Sequence, residues 1–117
     1  MNLTAIKGVM VLRLPADGPL LGTEPDALDL IAAAYGQETD LIAILSIRLQ
    51  PDFLKLRSGM AGAFLQKMQN YGYRVAIVGD ISAAVAASDA LRDFVYESNK
   101  VGQVLFAASE DDLRDRL

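Results

Sequence analysis

Two short apolar runs constrain the fold of this 117-residue chain more than any other feature. They are LIAILSI at 41–47 and RVAIVG at 74–79. Each is apolar at consecutive positions, which is typical of a strand covered on both faces in the middle of a parallel sheet. An amphipathic stretch separates them and predicts the helical crossover that parallel strands require. The chain therefore predicts a sheet with helices packed against it.

The remaining segments repeat this alternation. Residues 3–14 predict two short strands joined at Lys7-Gly8, and the Pro- and Gly-rich stretch 15–22 predicts a loop. Further along, we predict helices over about 23–36, 58–70, 88–102 and from 109 onward, and strands over 9–14, 41–47, 74–79 and 103–107. Segment 81–87 is compatible with either a loop or a short helix. The order predicts an α/β fold, with a single mixed, largely parallel sheet of about five strands and four helices in one domain over 1–117.

Spacing along the helices predicts which side chains face the core. Thr23 is the predicted N-cap of the first helix, with Asp26 in the capping-box position. The i, i+3, i+4, i+7 rule predicts these core faces: Leu28, Ile31, Ala32 and Tyr35 in the first helix; Met60, Ala61, Phe64, Leu65 and Met68 in the second; Leu91, Phe94 and Val95 in the third.

Composition argues against several classes of function. The net charge of −4 disfavours nucleic acid as a partner, because a phosphate backbone requires a cationic surface. The chain has no cysteine and no histidine, which removes thiol chemistry, the commonest general base and the commonest transition-metal ligand. No apolar run approaches the roughly 18 residues of a membrane span, and the N-terminal residues lack a signal-peptide layout. We therefore expect a soluble cytoplasmic protein that does not bind a membrane.

Catalysis has little support in the sequence. Asp52 and Asp80 are a conceivable acid–base pair, but no nucleophile accompanies them. The acidic run 110–112 follows Ser109 in a capping-box pattern, so we interpret it as helix-start charge rather than a metal site. We expect no catalytic residues, no metal, no cofactor and no enzyme activity.

The candidate site lies in the loops that follow the strands, where ligands meet such sheets. Arg57, Ser58 and Gly59 fall in the first of these loops, and Asp80 falls in the second. Ser58 is the predicted N-cap of the second helix, where free N–H groups and the helix dipole favour an anion, bound or covalent. The alternative is that Ser58 only caps the helix, and that Gly59 and Gly62 let it lie close to a strand. The P-loop pattern and the dinucleotide fingerprint are both absent.

A second polar cluster is predicted on the third helix. Arg92, Tyr96 and Asn99 share one helical face by their spacing, and tyrosine is enriched in binding hot spots. One interpretation is a partner-binding surface or the wall of a polar pocket. The alternative is an ordinary solvated helix face.

The stretch from Leu41 to Asp80 resembles the STAS domains, which include the anti-sigma-factor antagonists. Those domains have a buried strand, a loop, a D-S-S-G-L-G-like turn that opens an amphipathic helix, and a strand that ends near glycine. Here RSGMAG at 57–62 occupies the position of that turn. The resemblance implies a STAS-like fold, and it implies that Ser58 is where many such domains accept a phosphate from a partner kinase. Leu56 and Arg57 stand where the motif has its acidic residue.

The chain is also similar to an uncharacterised bacterial family, a numbered domain of unknown function. The similar stretches are DALDLIAAA, PDFLKLRSGMAGAFLQKMQNYGYRVAIVGD and LRDFVYESNK, which cover more than half of the chain. This similarity implies a small α/β fold and assigns no activity.

These patterns favour a non-enzymatic regulatory or protein-interaction module with an unidentified protein partner, and Ser58 is its candidate phosphorylation switch. The alternative is a small-molecule or anion-binding domain, or a weak enzyme, with a site formed by Arg57, Ser58 and Asp80 at the strand ends. A homodimer is expected from the high apolar fraction of 52%.

Overall fold

A five-stranded sheet organises the molecule, and its strands lie side by side in their sequence order. The computed structural model describes all residues, 1–117. The strands are β1 (Asn2–Ile6), β2 (Val9–Arg13), β3 (Leu41–Leu45), β4 (Arg74–Val78) and β5 (Val104–Ala107). The helices are α1 (Glu24–Ala34), α2 (Met60–Asn70), α3 (Ser82–Ala86), α4 (Asp89–Val101) and α5 (Glu110–Arg116). Two 3₁₀ turns, Ser46–Arg48 and Leu56–Ser58, lie between β3 and α2.

The predicted α/β class with one mixed, largely parallel sheet is confirmed. β1 pairs with β2 antiparallel across a two-residue turn, in which Lys7 and Gly8 have φ angles of 50° and 81°. Such a turn matches the twist of a hairpin. All other neighbours are parallel. Each crossover therefore advances one strand in the same direction, which places α1, α2 and α4 on one face of the sheet.

The two faces of the sheet carry unequal cores. Eighteen buried residues form the core beneath α1 and α2, where the rings of Phe53 and Phe64 meet edge to face at 5.5 Å. Nine buried residues form the core on the other face, which the short helix α5 covers through Leu113. Small side chains of β3, β4 and β5 on that face let α5 lie close: Ala43, Ala76 and Ala107.

The predicted core face of α1 was wrong for three of its four residues. The buried residues are Ala27, Leu30, Ile31 and Ala34. Leu28 is 42% exposed, Tyr35 is 85% exposed, and Ala32 is also exposed. The helix turns its fully buried alanines toward the core, because small side chains allow closer packing of α1 than leucine and tyrosine would.

The other helix faces follow the prediction more closely. In α2 the predicted face is buried except for Met60, which is half-buried. In α4, Leu91 is buried while Phe94 and Val95 are half-buried. The ambiguous segment 81–87 contains α3, so the molecule has five helices instead of four, of which four have seven or more residues. The strand predicted over 41–47 ends at Leu45, since residues 46–48 form a 3₁₀ turn that leaves Ile47 exposed.

Arg48 holds the long loop between β2 and α1. Its side chain is buried and donates to three backbone carbonyls, those of Pro15 (2.7 Å), Asp17 (3.0 Å) and Pro19 (3.1 Å). A buried cation requires such hydrogen bonds to offset its lost hydration. Sequence reasoning missed this role, because nothing local marks an arginine that will bond residues about 30 positions away.

Phe64→Ala should lower the free energy of unfolding by about 3–5 kcal/mol, because the ring is fully buried and the substitution leaves a cavity. Chemical denaturation measures the loss. Gly62→Ala on the same helix is the control. A Cβ there meets nothing within 4 Å, so alanine should add about 0.5–1 kcal/mol. Equal effects of the two changes would contradict this packing.

The contact between β2 and α5 should make stability depend on pH. Arg13 donates to both carboxylate oxygens of Glu110, at 2.7 and 3.2 Å, and these bonds lower the pKa of Glu110, while partial burial opposes the shift. A carboxyl whose pKa is lowered on folding stabilises the protein above its unfolded pKa, near about 4.3, and this contribution is lost as pH falls through the lowered folded pKa.

Glu110→Gln should therefore flatten the acid side of the stability profile relative to the wild type. Denaturation midpoints measured between neutral and strongly acidic pH test this. Glu97→Gln is the control, since Glu97 is exposed on α4 and forms no ion pair. If the stability of Glu110→Gln falls as steeply with decreasing pH as that of Glu97→Gln, the Arg13–Glu110 contact does not make stability depend on pH.

Candidate functional site

The carboxyl ends of β3, β4 and β5 open toward three connections, 46–59, 79–81 and 108–109. Gly79 makes the close approach of the first two possible. Its φ is 145°, and a Cβ added there would overlap the hydroxyl of Ser46. Only glycine fits both the backbone angle and the space. The ends of β3 and β4 are thereby drawn together, and the residues after them become the walls of two separate depressions.

The first depression is a cavity of about 240 Å³ that opens to solvent at the ends of β4 and β5. Its polar side chains are Asp80, Ser82, Asn99, Asp112 and Arg116. Asp80 accepts a hydrogen bond from the N–H of Ser82 at 2.9 Å, as an Asx-turn does. Asp112 accepts from the N–H of Ala108 at 2.9 Å and from Arg116 at 3.2 Å. These carboxylates act as caps within the fold.

The carboxylates of this cavity are also poorly suited to acid–base chemistry. The hydrogen bonds from Ser82 lower the pKa of Asp80, and the N–H of Ala108 lowers the pKa of Asp112, while partial burial opposes the second shift. A general acid or base works best with a pKa near the operating pH. Asp52, the other half of the conceivable pair, forms a salt bridge with Lys55 at 3.3 Å.

The second depression is a larger groove of about 750 Å³ beside Ser58. We call it the apolar groove. One wall comes from the loop after β3, with Pro51, Leu54, Lys55, Leu56 and Arg57, and the other from α3 and the start of α4, with Ala84, Ala87, Ser88 and Ala90. Its lining is mainly apolar, and the two cations stand on one wall. Lys55 is paired with Asp52, whereas Arg57 is exposed and forms no ion pair.

Ser58 lies beside this groove, at the entrance to α2. The prediction that Ser58 is the N-cap was wrong by one residue. Gly59 is the N-cap, with a φ of 76°, because the chain must pass through the left-handed region to turn from the 3₁₀ turn into the helix. Ser58 still contributes: its Oγ accepts from the N–H of Met60 at 3.2 Å and donates to the carbonyl of Asp52 at 2.8 Å.

The first turn of α2 has backbone donors that the fold leaves free. Ser58 accepts only the N–H of Met60, and the first backbone bond runs from Ala63 to the carbonyl of Gly59, so the N–H groups of Ala61 and Gly62 have no acceptor. Gly62 does not serve close packing, since a Cβ there would meet nothing within 4 Å. A Cβ at Gly59 would also meet nothing within 4 Å, so that alternative interpretation was wrong for both glycines.

The four residues predicted to form an anion site are split between the two depressions. Arg57 lines the apolar groove, and Ser58 and Gly59 follow it in the chain, beside the groove. Asp80 lines the smaller cavity. The alternative site built jointly from Arg57, Ser58 and Asp80 is therefore not assembled.

The three residues predicted as an interaction face lie together, lining a shallow depression of about 440 Å³ on α4. Arg92 pairs with Asp89 and Asp93 at 3.3 and 3.2 Å, and Tyr96 is 67% exposed. Asn99 has a different task. Its side-chain amide accepts from the N–H of Phe106 at 2.7 Å and donates to the carbonyl of Phe106 at 3.1 Å. It thus satisfies both outward backbone groups of β5 at that residue.

Comparison of the sequence with protein-family models shows the family to which the chain belongs. The model described as a domain of unknown function (DUF4180) matches residues 6–117. The chain belongs to this family. The family description names no enzyme activity. No curated protein matches the chain, and no solved structure matches it.

Two structural features are absent from this DUF4180 domain. No three carboxylate, histidine or cysteine side chains converge as a metal site requires. None of the helices combines the length and the apolar character needed to cross a lipid bilayer.

Asn99→Ala should cost this DUF4180 domain about 1–3 kcal/mol of stability, because it leaves two partly buried backbone groups of Phe106 without partners. Thermal or chemical unfolding measures the cost. Arg92→Ala, in the same depression but exposed, should stay within about 0.5 kcal/mol. If the two variants unfold alike, Asn99 has no special role in the fold.

Proposed function

We propose that this DUF4180 domain is a non-enzymatic regulatory module that binds a protein partner in the apolar groove and is switched at Ser58. The observation that carries the proposal is the position of this groove directly beside an exposed serine. The only other depression at the strand ends presents polar groups that already have partners within the fold. Small-molecule sites need a few convergent polar groups free to orient the ligand, which favours a protein partner here.

The lining of the groove indicates the chemistry of the partner. Leucine side chains form one wall and alanines form the other, so a partner would insert apolar side chains between them. Arg57 stands on the leucine wall without an acidic partner. An acidic residue next to the inserted side chains would complement it. We therefore propose an amphipathic segment with apolar side chains and flanking carboxylates as the partner.

The hydrogen bonds of Ser58 suggest how a switch would operate. Its hydroxyl ties the carbonyl of Asp52 to the first N–H of α2, and so joins the groove wall to the helix. Phosphorylated Ser58 would have no hydroxyl proton to donate to the carbonyl of Asp52, and the phosphate would add about −1.5 to −2 charges. The free N–H groups of Ala61 and Gly62, and Arg57, would attract it. The added charge would repel an acidic partner, and this repulsion, not the lost hydrogen bond to Asp52, would weaken binding.

The resemblance of residues 41–80 to the STAS domains supports this assignment, because Ser58 occupies the position at which many such domains accept a phosphate. We further propose a STAS-like relationship and a bacterial cytoplasmic setting, on the similarity to the STAS domains and to an uncharacterised bacterial family. Arg57 precedes the serine in place of the acidic residue of that motif. In this chain the neighbour of Ser58 would therefore attract a phosphate instead of repelling it.

A pair of adjacent alanines tests the groove. Ala87 lines it, whereas Ala86 is exposed and does not. Wild type and Ala86→Glu should both capture the partner from extracts of the native cell. Ala87→Glu should not capture it, because this substitution places a carboxylate among apolar contacts. Mass spectrometry identifies the retained protein. Equal retention by both variants would contradict the groove as the binding surface.

The switch is tested with the partner so identified, by titration against Ser58 variants. Ser58→Asp should weaken binding at least tenfold, about 1.4 kcal/mol, because it adds charge beside the groove. Ser58→Ala should bind within threefold of wild type and lose about 1 kcal/mol of fold stability, since it removes only the hydrogen bonds. Equal affinities of the two variants would refute the switch and leave the groove proposal standing.

A further inference from the structure

The two edges of the sheet differ in whether their outward backbone groups are free to pair with another strand. At the β5 edge, the side chain of Asn99 occupies both outward backbone groups of Phe106, so no further strand can pair there in register. At the β1 edge, no element lies alongside the strand. Proteins normally guard such an edge, because its unpaired N–H and C=O groups are a template for another strand.

The register of the hairpin identifies the free groups on β1. The two-residue turn makes Ile6 and Val9 a hydrogen-bonded pair, and such pairs alternate along the hairpin. Thr4 therefore bonds to Val11. The N–H and C=O groups of Leu3 and Ala5 point away from β2, toward solvent.

β1 carries none of the usual devices against pairing. The strand NLTAI has no charged residue and no proline. Its register with β2 runs without a bulge from Asn2–Arg13 to Ile6–Val9. Lysine, proline and bulges are the features by which natural edges avoid association. The β5 edge is guarded and the β1 edge is open.

We propose that β1 pairs antiparallel with β1 of a second copy of this chain, so that two five-stranded sheets join into one across a two-fold axis at Thr4. In this register Leu3 of each copy lies opposite Ala5 of the other, and the N–H and C=O groups of both residues are satisfied in each chain. Two-fold pairing of one strand with itself is isologous, which is the commonest arrangement of homodimers.

Charge and apolar burial favour a second copy as the occupant. The chain carries a net charge of −4, yet β1 itself is uncharged, so its pairing brings no charged side chains of the strand face to face. Leu3 is only half-buried, although it packs against the larger core, and pairing would cover it further. β2 separates this edge from β3, whose following loop forms a wall of the apolar groove, and no residue of β1 lines the groove, so this inference is independent of the proposed function.

Amide hydrogen exchange gives the direct test. In the dimer, Leu3 and Ala5 should exchange slowly at high protein concentration and quickly at low concentration. Thr4 and Ile6, which bond to β2, should be protected at both. Light scattering over the same concentration series should show the mass doubling. A monomer at every concentration, or fast exchange of Leu3 and Ala5 in a dimer, would overturn the proposal.

Substitutions on the strand test the register. Ala5→Pro removes an outward N–H without removing a bond to β2, and should raise the dimer dissociation constant at least tenfold. Thr4→Lys places two like charges opposite each other at the two-fold axis, beside Arg13, whose guanidinium donates to the Thr4 hydroxyl, and should weaken the dimer strongly. Thr4→Glu also places two like charges there, but Arg13 partly offsets them, so it should weaken the dimer less. Equimolar mixing of these two variants should restore association as a heterodimer.

Mixing the two Thr4 variants also shows that weakened association is not due to unfolding, since the heterodimer can form only if both variants are folded. Gln69→Lys and Gln69→Glu are the controls, because they make related charge changes at an exposed position on α2. Their dimers should match wild type. A wild-type dimer that neither Ala5→Pro nor the Thr4 variants weaken would place the interface elsewhere and refute the pairing of β1.

Discussion

Burial of β3 on both faces is the constraint on which the rest of the molecule depends. Four of its five residues are fully or almost fully buried, and they alternate between the two cores. A strand of this kind needs a hydrogen-bonded neighbour on each side and a cover on each face. β2 and β4 supply the neighbours, α1 and α2 cover one face, and α5 covers the other. The loops that form the candidate site lie where this arrangement places the ends of β3 and β4.

Because the strands lie in sequence order, the helices cover the two faces of the sheet unequally. Because every crossover advances in the same direction, three helices accumulate on one face and only the last helix reaches the other. Seven residues of α5 are sufficient because Ala43, Ala76 and Ala107 on the facing strands let the helix lie close to the sheet. The Arg13–Glu110 contact then fastens this helix to β2, on the far side of the sheet from β5.

The fold was largely predictable, and the site only in part, for a common reason. Periodicity is a local signal, so the strands within LIAILSI and RVAIVG and the α2 face were recognised. The α1 face was misjudged because two sets of residues, one position apart, satisfy the same helical spacing. Ser58 was placed correctly beside a helix start, but the need for a left-handed residue moved the cap to Gly59. The structural roles of Asn99 and Arg48 went unrecognised because their partners are backbone groups, which leave no mark on side-chain patterns.

The amide of Asn99 has a consequence for how the molecule can assemble. In the language of polymer chemistry, a sheet with two open edges is a bifunctional monomer and can grow into a fibre. A sheet with one edge capped has a single reactive end, so any association by strand pairing terminates at two copies. One side chain thus converts a potential for open-ended growth into a closed stoichiometry, and the edge strand can remain unguarded without exposing the protein to runaway aggregation.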